Sequence, residues 1–395
     1  MSLQKYRESV LKVAFVGGAY DSAVGRAHRT AISMDQRFDL VAGCFSRNSD
    51  KNEDSAKQYG VDHKRLYRDL ASLLKAESDS LDAIVVLTPQ DQHAAQVEEC
   101  IIKGVPVICE KALARTSLEA LKIENFLIEK KGLLTVTYNY TGYPMIRELR
   151  HMISTGFLGR IQQIQIEMPQ EGFARVTAEG APILPQEWRL RDGEIPTLSL
   201  DLGVHLHMMV KFLIGAKPEE VVAIASSRGN FPEIIDNIQC LARYSDEVDC
   251  GIWYSKTALG YRNGLSLRIF GSKGSAEWIQ ANPEYINYAN NVGVRYVLDR
   301  ASSGIQIANQ PRYQRFKAGH PAGFLEAFAN YYVDIAEALH KYNDSGNIYF
   351  GDYVFGVKES IEGLEMLEAI TRSSQSRKWE VVSRLAAHEV KNENK

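Results

Sequence analysis

The chain has 395 residues, 45% hydrophobic and 24% charged, with 29 glycines and 12 prolines; this excludes a disordered, collagen-like or disulfide-scaffold protein. At ~150 residues per domain the length suggests two or three domains, enough to bury a core without metal or disulfide staples. Lys+Arg 46 against Asp+Glu 49 leaves a net charge of -3, so no basic excess exists to neutralise nucleic-acid phosphates, and that partner class is disfavoured.

The N-terminal stretch MSLQKYRESVLK has no apolar h-region, so it does not read as a secretory signal. No run approaches the ~18–20 apolar residues of a membrane span, and no membrane partner is expected. Leu11 to Val16 reads as a strand, followed by a glycine turn and a helix through Arg26 to Ile32. Leu40 to Phe45 is a second strand, and a polar helix covers Asn52 to Tyr59. Ala83 to Leu87, Val105 to Cys109 and Leu133 to Thr137 complete the series, with helices between them. Near-continuous Val/Ile runs alternating with helices indicate parallel strands buried on both faces, a doubly wound sheet.

Beyond Tyr138 the period changes. Ile164 to Met168 alternates apolar and polar, as do Glu220 to Ala225, Ile238 to Tyr244, Cys250 to Tyr254, Ser266 to Phe270 and Ala276 to Ile279. These are antiparallel strands with one solvated or subunit-facing side; helices over Leu202 to Ile214 and Gly323 to His340 are expected to cover the other. The expected class is α/β: a doubly wound domain over residues 8–138 and an α+β domain over 139–390, with a frayed tail over the last five residues. Cys44, Cys100, Cys109, Cys240 and Cys250 lie dispersed in apolar runs, which reads as reduced thiols of a cytoplasmic protein. The open sheet face would be a large apolar patch if bare, which predicts a homodimer or homotetramer.

Chemistry-bearing residues cluster at strand ends. Gly17-Gly18-Ala19 and Gly25 stand between the first strand and its helix, where a dinucleotide fold brings backbone N–H groups to a pyrophosphate. Gly17 and Gly25 fill the outer places of G-x-G-x-x-G, but Ala19 stands at the second glycine and the spacing is three residues long. Ser46 and Arg47 end the second strand without an acidic residue for the ribose diol, which tilts NAD or NADP towards NADP. Glu110-Lys111 ends a buried strand, where a lysine can polarise a carbonyl or stabilise an alkoxide; a solvent-facing ion pair is the plain alternative. Asp201 and His205 lie four apart in an apolar helix and could work as carboxylate and imidazole. Equally, Asp201 could be a helix cap, with His205 and His207 satisfied in the core. No metal is expected, for want of a ligand pattern.

Several stretches in order make the chain similar to the Gfo/Idh/MocA oxidoreductases: Gly25-Arg-Ala-His28, Leu87-Thr88-Pro89 with His93, Gly104 to Lys111, Asn139-Tyr140, Gly156 to Ile161, Trp188-Arg189, Asp201-x-Gly-x-His205 and Gly264 to Gly271. The resemblance spans nearly the whole chain. It implies a Rossmann domain and a C-terminal domain on a large, mainly antiparallel sheet, with substrate over the nicotinamide between them. Gly17, Gly18, Ala19 and Gly25 would line the pyrophosphate, and Ser46 and Arg47 the adenosine ribose. Thr88, Pro89, His93 and Glu110 would flank the nicotinamide half. Lys111, Asp201 and His205 would be catalytic, and Asn139, Tyr140, Trp188, Arg189 and His320 would line the substrate pocket. The implied reaction is hydride transfer to or from a sugar, sugar derivative or cyclitol. A non-catalytic, cofactor-binding sensor and nicotinamide-assisted glycoside hydrolysis are the competing activities. Two departures stand out. Ala112 replaces the motif's proline, the residue that normally supports a cis bond, and the longer glycine loop puts Asp21 near the pyrophosphate position.

Overall fold

The structure is a computed structural model and describes residues 9–382. The tail expected to fray, and the outer bounds at 8 and 390, lie outside these residues. In chain order the chain runs β1 Leu11–Gly17, α1 Ala23–Met34, β2 Phe38–Cys44, α2 Ser49–Tyr59, α3 Leu70–Glu77, β3 Ala83–Leu87, α4 His93–Ile102, β4 Val107–Cys109, α5 Ser117–Lys130 and β5 Leu134–Val136. It continues through α6 Pro144–Ser154, β6 Ile161–Pro169, α7 Val204–Ile214, β7 Pro218–Ser226, β8 Asn237–Tyr244, β9 Val248–Ser255, β10 Ser266–Gly271 and β11 Gly274–Ile279. Last come β12 Ile286–Asn290, β13 Arg295–Leu298, α8 Phe324–Ser345, α9 Val357–Ser376 and β14 Glu380–Val381.

Two compact units result. The first comprises residues up to 114, 119–142 and 324–358. Its five strands are parallel in the order β2-β1-β3-β4-β5, and β3, Ala-Ile-Val-Val-Leu, is buried throughout. Local chemistry sets the helix ends: the Ser22 side chain accepts the Gly25 N–H ahead of α1, and Asn48 accepts the Lys51 N–H ahead of α2.

A correction concerns α8. The segment expected to cover the second sheet packs on the first, where Phe328, Tyr331, Tyr332, Ile335 and Leu339 join Val13, Phe15, Ile32 and Phe38 in one core. Tyr331 Oη donates to the Val136 carbonyl at 2.7 Å, and Asn330 Nδ2 to Gly142 O at 2.8 Å. The division at residue 138 therefore gives way to an interleaved one, because the apolar stripe of α8 belongs to the parallel sheet.

The second unit comprises 115–118, 143–323 and the residues from 359 onward. Its nine strands run β13-β12-β11-β10-β6-β9-β8-β7-β14, antiparallel except for the parallel β6–β9 pair. α7 and α9 pack on each other on one side, where a side chain at Gly363 would meet His207. The opposite face holds a shallow depression of about 420 Å³ lined by Gln165, Val222, Ile224, Leu241 and Trp253 among others. Ile224 and Leu241 are 67% and 57% exposed there. No described helix is long and apolar enough to cross a membrane.

Candidate functional site

In the first unit the glycine turn is tight and left-handed. Gly17 and Gly18 adopt φ of +78° and +68°, a region side chains disfavour. A Cβ on Gly25 would lie 2.1 Å from Gly18 O, so the first turn of α1 rests directly on the loop. The inserted residues are tied down on α2: Tyr20 N donates to Ser55 Oγ at 3.1 Å, and Asp21 pairs with Lys51 at 2.6 Å. The Asp21 charge, expected to oppose a pyrophosphate, thus has a cationic partner. At the end of β2, Asn52 Oδ1 accepts the Phe45 and Ser46 N–H groups at 2.7 and 3.2 Å, and Arg47 is exposed.

Around Lys111 the polar groups are buried and connected. Glu110 Oε1 accepts from His28 Nε2 at 2.9 Å and Thr137 Oγ1 at 2.5 Å. His28 Nδ1 lies 2.5 Å from the Tyr332 hydroxyl, so α8 reaches the Glu110 carboxylate through the His28 ring of α1. Burial acts to raise the Glu110 carboxyl, yet the His28 bond and charge, with Lys111 and Thr137, hold it down at about 2. A carboxyl held below its usual ~4.3 contributes stability above that pH and loses it as pH falls towards about 2. Glu110→Gln is therefore expected to cost on the order of 3 kcal/mol at neutral pH, with the deficit closing between about pH 4 and 2 in acid unfolding curves. The Lys111–Ala112 peptide is cis although no proline follows it.

His93 is a buried residue at the start of α4. It is 1% exposed, with Nδ1 2.7 Å from Ala112 O and Nε2 2.8 Å from Thr88 O. The ring braces the loop after β3 against the turn after β4. Thr88 is half-buried and Pro89 exposed. Asn139 and Tyr140 lie buried in the turn after β5. Asn139 Nδ2 is buried without a hydrogen-bond partner among the described residues.

In the second unit Asp201 is not a helix cap. Ser199–Gly203 forms a π-helical turn that runs straight into α7, a distortion frequent at functional sites. Asp201 and His205 are 8% and 7% exposed. Asp201 Oδ2 accepts from Lys256 Nζ at 2.5 Å and pairs with Arg189 at 3.3 Å. Arg189 also stacks 4.3 Å over the Trp188 ring. The structure thus gathers Asp201 and Arg189, and adds Lys256, which the sequence reading passed over. His207 is buried with Nε2 3.6 Å from Glu362 Oε1; neither ring nitrogen has a hydrogen bond among the described residues, and burial, aided by Lys211, pushes it down to about 3. His320 sits on an exposed loop with its ring against Phe316, and no described hydrogen bond or ion pair ties its side chain to the Asp201 cluster. No group of three or more potential His, Cys, Asp or Glu metal ligands occurs among the described residues.

Comparison with known proteins adds the following. Residues 11–138 match the oxidoreductase family with NAD-binding Rossmann fold, and residues 146–277 match the GFO/IDH/MocA C-terminal domain. The chain is 31% identical over 377 residues to the uncharacterized oxidoreductase YfiI of Bacillus subtilis, covering 92% of this chain and 94% of that one. A solved oxidoreductase from Sinorhizobium meliloti shares 30% identity with a TM-score of 0.81, covering 94% and 99% of the two chains. An inositol dehydrogenase homolog from Azotobacter vinelandii, solved with NADH and myo-inositol, shares 27% identity with a TM-score of 0.83, covering 94% and 97%.

Proposed function

The chain belongs to the Gfo/Idh/MocA oxidoreductases, and from that premise we propose that it transfers a hydride between nicotinamide and a secondary alcohol or ketone of a sugar, sugar derivative or cyclitol. It is an NAD(P)-dependent dehydrogenase. The observation that supports the hydride-transfer reading is that both chemistry-bearing motifs sit in largely buried charged clusters. Lys111 adjoins the His28–Glu110–Thr137 network, and Asp201 is in ion pair with Lys256 and Arg189.

The bound nicotinamide supplies the hydride acceptor or donor. Lys111 stabilises the charge that develops on the substrate oxygen. His205 takes the hydroxyl proton in the oxidative direction and returns it in the reductive one, and Asp201 orients that exchange. Gly17, Gly18, Ala19 and Gly25 would hold the pyrophosphate, and Thr88, Pro89 and Glu110 would flank the nicotinamide half, with His93 as their brace. Asn139, Tyr140, Trp188, Arg189 and His320 bind substrate hydroxyls. Ser46 and Arg47, in place of an acidic residue, favour NADP over NAD. The exposed sheet face around Ile224 and Leu241 buries itself in a homodimer or homotetramer, which light scattering measures directly.

A panel of cyclitols, aldoses and sugar derivatives with NAD and with NADP tests the assignment by nicotinamide absorbance. Turnover of at least one member is expected. Cofactor binding without hydride transfer across the panel would point to the sensor alternative, and product without net absorbance change to assisted hydrolysis.

A further inference from the structure

Lys256 follows β9 directly, and its backbone is held on both sides: its N–H donates to Asp236 O at 2.8 Å and its carbonyl accepts the Phe173 N–H at 2.8 Å. The residue is 6% exposed, with Nζ 5.1 Å from the centre of the Phe173 ring. A buried ammonium is costly unless it is paired, and the partner here is Asp201 Oδ2 at 2.5 Å. Two cations reach that carboxylate oxygen, Lys256 from beyond β9 and Arg189 from the loop before α7; the neighbouring Ser199 is bonded by the Tyr254 hydroxyl of β9 at 3.0 Å. Arg189 is the longer contact and its side chain is 26% exposed, against 7% for Lys256.

We propose that Lys256 is a positioning residue for the hydride-transfer site, its ammonium keeping Asp201 ionised and fixing the carboxylate by one oxygen. This rests on the function proposed above. An opposite charge at contact distance favours the ionised carboxylate. A carboxylate fixed at Oδ2 by two cations from different loops cannot swing away from its working orientation. Arg189 alone does not replace this, because it reaches from a more exposed turn at a longer distance.

A filler role and a positioning role predict opposite orders of activity. Methionine keeps the length and apolar stem against Phe173 but loses the charge; arginine keeps the charge at some cost in fit. For positioning, Lys256→Met is expected to lower kcat about 10²-fold with KM little changed and NADH affinity retained, while Lys256→Arg recovers part of the rate. A filler would give the reverse order. A second readout needs no turnover. The 13Cγ resonance of Asp201, assigned by its loss in Asp201→Asn, should keep its ionised position to lower pH in the wild type than in Lys256→Met. If the wild type turns over no member of the panel, the hydride-transfer reading fails, while this resonance still decides whether Lys256 keeps Asp201 ionised. Wild-type kcat in Lys256→Met, higher activity in Lys256→Met than in Lys256→Arg, or identical Asp201 titrations would each overturn the proposal.

Discussion

Replacing His205 by glutamine is expected to lower hydride transfer by about 10²–10⁴-fold, the range for loss of a general acid–base group, with NAD and NADP affinity retained. Glutamine is the informative replacement because His205 is 7% exposed and alanine would leave a cavity in a well-packed segment. His205 is the second residue of α7, which follows the π-helical turn carrying Asp201 without a break, so its backbone is set by the same distortion. A proton must leave the carbinol as the hydride departs, and imidazole is the side chain whose ordinary pKa suits that exchange near neutrality. Stopped-flow nicotinamide absorbance in a single turnover isolates the chemical step from product release. A loss smaller than about tenfold there, well short of the general-base range, would remove the base from His205.

The same π-turn marks where sequence reasoning ran out. Asp201 and His205 were visible as a pair at i, i+4, but regular helical spacing gives no sign that the intervening backbone is wound as a π-turn. Lys256 carried no signal: it lies 55 positions from Asp201, and a lysine at a strand end looks like any solvated surface charge. The parallel sheet was legible because Ala83 to Leu87 is an unbroken apolar run and its counterparts are nearly so. α6 was not, because Arg147 and Glu148 interrupt its pattern, although both are 1% exposed. Arg147 spends its charge on the Tyr313 hydroxyl at 2.8 Å, and Glu148 accepts the Ile307 and Ala308 N–H groups at 2.7 and 2.9 Å. β12 and β13 are short, and β13 is an exposed edge strand, where little alternation is needed. The placement of α8 failed for another reason. An amphipathic stripe tells that a helix buries one side, not which sheet receives it.

Gly25→Ala is expected to damage both stability and cofactor binding, and the cause is backbone against backbone. An added Cβ would stand 2.1 Å from Gly18 O, 2.5 Å from Gly18 C and 2.8 Å from Ala19 O. None of these is the end of a flexible side chain, so the turn or α1 must move. Overpacking of this kind costs about 1–3 kcal/mol, and the displacement falls on Gly18 and Ala19 themselves. Dinucleotide affinity should therefore fall by about tenfold or more, which corresponds to ~1.4 kcal/mol. Gly60→Ala is the control. Gly60 ends α2 at φ +76°, with nothing within 4 Å of an added Cβ, so only local backbone strain of about 1 kcal/mol is incurred. Chemical denaturation and NADH fluorescence titration of the two variants separate these effects. Loss of affinity in Gly25→Ala alone places the pyrophosphate on the Gly17–Gly25 loop; equal affinity in both variants would mean that the dinucleotide does not lie against this turn.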